Sequence, residues 1–285
     1  MDNRRVKTGA SVTTRRIIAY IVLILITFLC LFWFYVLFIN ATRSHSDLTR
    51  GFTLIPGGNA LENWKNLMHS SQPVVSGLRN SLIIAICAAA LSTYFSTMTA
   101  YAIHAYDFKI KNAMFTFILA VMMIPTQVVA LGFINLMGKM KLMDTFIPLI
   151  VPAIAAPATF FYMKQYMEST LPMALLEAAR IDGSSEFRTF NSIVIPLMKP
   201  AIAVQAIFTF VASWNNYFTP ALVLTTDTKK TLPILIAQLR SADFLKFDMG
   251  QVYMMIAFSI FPVILVYLIL SKYIVGGVAV GAVKG

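Results

Sequence analysis

The stretch "LLEAARIDGSSEFRTFNSIVIP" (Leu175–Pro196) places Glu177, Arg180, Asp182, Glu186 and Arg188 inside a chain that is 58% hydrophobic. Whether it crosses a bilayer decides how the whole chain is threaded. Over Leu171–Thr189, five charges at the bilayer centre would cost about 12–18 kcal/mol, and its Leu, Ile and Phe residues return only about 2–3. The stretch therefore belongs in water, between apolar runs that do not.

Those runs are long. About 20 apolar residues cross a bilayer as a helix. Six segments approach that length: Ile17–Ile39, Ser81–Ile103, Ala113–Met137, Phe146–Met163, Ala201–Leu224 and Val252–Leu270. None contains Asp, Glu, Lys, Arg or His. The first holds 17 Leu, Ile, Val or Phe residues, which favours insertion by roughly 5–10 kcal/mol. It exceeds the length of a signal-peptide core and no A-x-A site follows, so it reads as a retained anchor. The second carries Ser92, Thr93, Ser96, Thr97 and Thr99, small and hydroxyl residues that suit a helix packed inside a bundle. The expected fold is all-α, one polytopic domain of six spans over residues 1–285.

Charge fixes the direction of threading. Only 12% of residues are charged, yet the net charge is +11. Many basic residues flank apolar runs, where headgroups and topology signals place them, so nucleic acid is not the expected partner. With the N-terminus inside, 13 of the 23 Lys and Arg fall on the inner side and 10 outside. Arg4, Arg5, Lys7, Arg15 and Arg16 before the first span carry most of that bias. Both termini are therefore expected in the cytoplasm, with residues 40–80 and 225–251 outside and 164–200 inside. In the first outer loop, "PGG" (Pro56–Gly58) marks a turn. Asn59 and Glu62 then have capping-box spacing, and Leu61, Trp64 and Met68 would share the face of a short interfacial helix.

The charged stretch has the grammar of a hairpin. Thr170 can cap a helix with Pro172 in its first turn. Strong helix formers follow, then Gly183, which tolerates a left-handed cap. Ser184 and Ser185 can start a second helix that ends by Pro196. Leu175, Leu176 and Ala179 would form an apolar face with a charged rim. Physical reasoning leaves two readings open, a solvated connector and a docking element.

The spacing Glu177-Ala178-Ala179, three residues, Gly183, nine residues, Ile193-Val194-Ile195-Pro196 resembles the E-A-A-x3-G-x9-I-x-L-P signature of ABC-importer permease subunits, with Ile195 in place of Leu. "AYAIHAYDFKIKN" (Ala100–Asn112), "TFVASWNNYFTPALVL" (Thr209–Leu224) and "GAVKG" (Gly281–Gly285) are similar to carbohydrate permeases of the maltose-uptake type. Gly276 stands where those permeases commonly carry a basic residue. The resemblance implies that the hairpin between spans four and five is a coupling helix seated in a cleft of a separate ATPase. Glu177 would make a polar contact there, Ala178 and Ala179 would permit close approach, Gly183 would allow the turn, and Asp182 is counted with them among the coupling residues. It further implies a second related permease, two ATPase subunits, an extracytoplasmic solute-binding protein and a prokaryotic cell membrane.

The absences agree with that implication. The chain has no P-loop: Gly132…Gly138-Lys139 has the wrong spacing, and Met140 stands where a hydroxyl should bind Mg²⁺. ATP and Mg²⁺ would be bound by the partner, and no catalytic residue or cofactor is expected here. No metal ligand set is expected either, since the three His are scattered and Cys30 and Cys87 sit inside apolar runs. An ion-coupled carrier usually keeps a carboxylate or His within its spans, which makes it the weaker alternative.

Polar and helix-breaking residues mark the later spans. Gln127, Asn135, Trp214, Asn215, Asn216 and Tyr217 are the candidate substrate-pathway residues, alongside Pro125, Pro148, Pro152, Pro157 and Pro220. Amides and aromatic rings suit a neutral, hydroxyl-rich solute such as a di- or oligosaccharide. A glycerol phosphate would instead favour Arg or Lys in the path. The same amides also serve as interhelical glue. In the second outer loop, Lys229, Lys230, Arg240, Asp243 and Lys246 form either a docking rim for the binding protein or a solvated surface.

Overall fold

A computed structural model describes residues 9–241 and 248–282. In chain order its helices are α1 (Gly9–Ala41), α2 (His45–Arg50), α3 (Ala60–Met68), α4 (Val74–Ala105), α5 (Lys111–Val121), α6 (Thr126–Lys139) and α7 (Ile147–Ile150). There follow α8 (Pro157–Thr170), α9 (Met173–Ile181), α10 (Glu186–Thr189), α11 (Ile195–Trp214), α12 (Phe218–Val223), α13 (Leu232–Arg240) and α14 (Met249–Ala282). No strand occurs among the described residues. Arg4, Arg5, Lys7, Asp243, Lys246 and the last residues of "GAVKG" lie outside them.

Among the described residues five helical stretches are long and apolar enough to span a membrane: Thr14–Ala41, Val74–Ala105, Ile147–Thr170, Glu186–Trp214 and Met249–Ile274. The expected third span, Ala113–Met137, is instead two helices. α5 ends at Val121, and α6 begins after Pro125, which takes the extended backbone its ring favours (φ −62°, ψ 130°). Pro125 cannot donate to the carbonyl of Val121, so the helix restarts rather than continues. The fourth stretch is bent as its prolines suggest, with a 3-10 turn at Val151–Ile154 between α7 and α8.

The described residues form two compact units, one drawn from the stretches up to 70 and from 239 to 258, the other from 71 to 238 and from 259 on. In the first, α1 exposes row upon row of Ile, Leu and Phe, a surface that lipid satisfies. Beyond its end the chain folds around two buried polar side chains. Arg43 donates to the carbonyls of Asp47 and, at 2.9 Å, Gly51. Asn63 donates to the carbonyls of Ala41 and Arg43, each at 2.9 Å. A Cβ at Gly250 would lie 2.7 Å from the Arg43 carbonyl oxygen, so the start of α14 tolerates only glycine there. The short helix expected after "PGG" is α3. Its Asn59 side chain bonds Glu62 at 2.9 Å rather than capping a backbone N–H. Its buried positions are Asn63 and Leu67, while Leu61 is exposed: Asn63 is drawn inward by the two carbonyls it satisfies.

In the second unit α4 is the central helix, packed on α8 and α11. Its buried face runs Ala85, Ala88, Ala89, Ser92, Thr93, Ser96, Thr97 and Ala100, the small side chains that let backbones approach. Ser92 donates to the Thr159 hydroxyl at 3.2 Å, while Thr93 and Thr97 bond back to their own helix. Near the start of α4, buried Asn80 donates to the carbonyls of Thr228 (2.8 Å) and Lys230 (3.0 Å). Asn80→Ala removes both donors and leaves a hole at a buried position, and should cost about 1–3 kcal/mol, read as a lowered thermal midpoint of the protein in detergent.

Candidate functional site

The hairpin is built by local rules. Pro172 precedes α9 in extended backbone, and its missing N–H is one the first turn could not use. Thr170 closes α8 instead of capping α9, because α8 continues past Met163 to Thr170, braced by a Lys164–Glu168 pair one turn apart. Gly183 takes the left-handed conformation (φ +74°). Its N–H donates to the Arg180 carbonyl and that of Ser184 to the Ala179 carbonyl, each at 3.0 Å, a Schellman turn. Ser185 then caps α10, its hydroxyl accepting from the Arg188 N–H at 3.4 Å.

The second arm does not stop at Pro196. A widened π-turn over Phe190–Val194 joins α10 to α11, and the Ile195 N–H reaches back to the Phe190 carbonyl. The helix runs on through Pro196 and Pro200 to Trp214. A π-turn immediately ahead of a proline resets the bonding register where the missing N–H would interrupt it.

Two faces result. Leu176 is buried in a core that includes Met163, Met167, Leu171, Phe190 and Val194, and Ala179 is buried as well. Leu175, expected beside them, is exposed: Ala179 lies between the two leucines around the helix, about 40° from Leu175 and about 60° from Leu176, and the core is on the Leu176 side. Glu177, Ala178, Asp182 and Gly183 face outward, together with Ile181 (86% exposed) and Phe187 (71%). Of the five expected coupling residues, Ala179 alone packs inward.

Two of the five charges are used within the fold. Arg180 Nε donates to Glu186 Oε1 at 3.0 Å, and the Tyr101 hydroxyl to Glu186 Oε2 at 2.7 Å. The Arg180 guanidinium also lies 5.2 Å from the centre of the Tyr106 ring and bonds the Ala105 carbonyl at 3.4 Å. His104 Nε2 lies 3.0 Å from the Leu171 carbonyl oxygen. The end of α4 thus holds the hairpin, a role no local pattern in "AYAIHAYDF" announces.

A cavity of about 260 Å³ lies in the same unit, lined by residues of α4, α6, α7, α11, α12 and the turns beside them. Its walls include Ile84, Phe133, Pro148, Pro152 and Pro220, with Ser213, Asn216 and Thr219 as its polar groups. Of the candidate pathway residues, Asn216 lines it and accepts from the Thr219 N–H at 3.3 Å. Trp214 is buried and stacks on Phe210 at 5.7 Å. Gln127, Asn135, Asn215 and Tyr217 are exposed and are not part of its wall. Ser213 and Thr219 escaped the sequence reading because a single hydroxyl in an apolar run gives no sign of direction.

At the turn between α6 and α7, Asp144 adopts a left-handed backbone (φ 56°). Its carboxylate accepts from the N–H groups of Thr225 (2.9 Å) and Thr226 (3.0 Å), the Thr226 hydroxyl (2.7 Å) and Lys229 Nζ (2.9 Å). The Thr226 hydroxyl and N–H, then the Lys229 ammonium, hold the Asp144 carboxyl well below the usual carboxylate range. Lys230 pairs with Asp227. Lys229 and Lys230 of the expected docking rim are therefore engaged within the chain, and Arg240 is exposed.

Residues 92–280 match the family described as "Binding-protein-dependent transport system inner membrane component". The arabinooligosaccharides transport system permease protein AraQ of Halalkalibacterium halodurans is 35% identical over 266 residues, covering 91% of this chain and 93% of that protein. The sn-glycerol-3-phosphate transport system permease protein UgpE of Yersinia pestis is 32% identical over 268 residues, covering 92% and 95%. The crystal structure of a bacterial ABC transporter involved in the import of the acidic polysaccharide alginate contains a chain with the same fold. It superposes with a TM-score of 0.78 at 21% identity, over 93% of this chain and 98% of that one. The chain belongs to the family of inner membrane components of binding-protein-dependent transport systems, the multi-pass, non-enzymatic permease subunits of ABC importers.

Proposed function

We propose that this chain is one transmembrane subunit of an ATP-driven importer of a di- or oligosaccharide. The observation that carries the reading is the α9–α10 hairpin, a rigid turn inside the family-matching region with Glu177, Ala178, Asp182 and Gly183 on its outer face. In this reading the hairpin docks in a cleft of a separate ATPase, which alone binds ATP and Mg²⁺, and Ala179 keeps that face close to the core behind it. The functional assembly has a second related permease, two ATPase subunits and an extracytoplasmic solute-binding protein. Both termini are cytoplasmic, six segments cross the membrane with α5 and α6 together as the third, and the turns at 140–146 and 225–229 lie outside.

The sugar class rests on the AraQ relative and on a cavity with hydroxyls and an amide among apolar walls. Glycerol phosphate is the second reading, favoured by the UgpE relative. The cavity's wall includes no Arg or Lys, the groups that a phosphate dianion would call for.

Two experiments test the proposal. Calorimetric titration of the partner binding protein with arabinotriose, lactose and sn-glycerol 3-phosphate should give heat with a sugar, and heat with the phosphate alone would transfer the chain to the second reading. In vesicles holding the complete assembly, uptake should persist under a proton uncoupler while internal ATP is held constant. Its loss would instead identify an ion-driven carrier.

A further inference from the structure

The contacts between α4 and the hairpin are arranged as a joint. α4 grips the hairpin at its entry, its turn and its exit. At the entry His104 meets the Leu171 carbonyl. At the turn Tyr101, Tyr106 and Ala105 engage the Arg180–Glu186 pair. At the exit the Phe190 ring packs against Tyr101 and Tyr94, at centroid distances of 5.7 and 5.5 Å, and the Tyr94 hydroxyl donates to Asn191 at 3.3 Å. Glu186 is the centre of the arrangement. One carboxylate oxygen takes the guanidinium of α9 and the other the phenol of α4, so a single residue of α10 ties both arms of the hairpin to a third helix.

An ion pair needed only to hold the Gly183 turn would be redundant, since Gly183 and Ser184 already complete that turn with backbone bonds. What the pair adds is attachment to α4. That helix is continuous from Val74 to Ala105, and Ile84, in the cavity wall, stands about 25 Å along it from Tyr101.

We propose that Arg180, Glu186 and Tyr101 are positioning residues that make the hairpin and α4 one rigid body, so that displacement of the hairpin is delivered along α4 to the cavity wall. This rests on the reading of the hairpin as the ATPase-docking element. Rigid elements with bonded joints carry displacement, whereas a hairpin joined only through its own chain would swing without moving α4.

The test uses the complete assembly, with Cys30→Ser and Cys87→Ser to remove the native thiols. Spin labels go on Arg188→Cys in α10 and Val75→Cys at the far end of α4, both exposed positions. With the joint intact, the distance between labels has one maximum that does not shift between the resting state and ATP with vanadate. Tyr101→Phe, which deletes one hydroxyl and keeps the ring, and Glu186→Gln should each give a maximum that shifts on ATP and vanadate. The double variant should shift no further than the larger single one, because both remove the same link. A distance that shifts in the unaltered joint, or one that stays fixed in every variant, overturns the proposal. Co-purification of the ATPase with each variant is measured in parallel. Failure of the unaltered complex to retain its ATPase would strike the docking reading itself.

Discussion

Gly183→Pro is expected to abolish ATP-dependent uptake while leaving the chain in the membrane at normal amount. Gly183 has φ +74°, and proline is locked near −65°. The substitution also deletes the N–H that bonds the Arg180 carbonyl. A Cβ at this position would meet nothing within 4 Å, so the whole effect lies in the backbone of the turn. Gly183→Ala separates the two parts: it keeps the N–H and bears only the left-handed penalty of about 1–2 kcal/mol. Uptake should therefore fall in the order wild type, Gly183→Ala, Gly183→Pro, with the last at background and immunoblots of the membrane fraction unchanged. Normal uptake by Gly183→Pro would remove the hairpin from the mechanism.

The second large effect is expected at Asp144. In the proposed topology this carboxylate anchors residues 225–229 on the outer surface, where a binding protein would dock. Asp144→Asn keeps a residue suited to a left-handed backbone and removes the charge that Lys229 and Thr226 satisfy. Stimulation of ATP hydrolysis by the loaded binding protein should drop roughly tenfold, as charge-assisted bonds are lost together, with unstimulated hydrolysis unaffected. The pH dependence has a definite sign. A carboxyl held lower in the folded chain than its ordinary value of about 4 contributes stability that is fully present above that value. That contribution is lost only as pH falls through the lower, folded value. Stimulation should thus show no titration of this group between pH 5 and 8, and a wild-type transition there that Asp144→Asn removes would contradict the assignment.

How much of this was legible beforehand depended on the range of the signal. The charged stretch, the Gly183 turn and the Ser185 cap are decided by neighbours a few residues away, so they can be read directly. The partner of Glu186 could not be, because Tyr101 is 85 residues distant and its sequence context is that of an ordinary span end. Pro196 misled for a related reason. Proline ends a helix unless the turn before it widens, and the widening at Phe190–Val194 occurs where Phe190 is packed against Tyr94 and Tyr101. In the cavity, Asn216 stood out as a rare amide, while Ser213 and Thr219 acquire direction only once α11 and α12 are in place. The small-residue face of α4 was foreseeable because close packing requires small side chains whatever their partner is.

The interruption at Met122–Pro125 constrains where this protein can exist. Its third apolar stretch is two half-length helices, and among their described side chains only Met137 is buried by the rest of the chain. Met123 and Ile124 at the break are 84% and 50% exposed. Turn bonds from the Met122, Met123 and Ile124 N–H groups occupy the carbonyls of Leu119, Ala120 and Val121, and in the proposed topology irregular backbone at membrane depth needs protein or water beside it. A partner subunit or a water-filled path is therefore expected against this break, and a copy that lacks both would present irregular backbone to lipid.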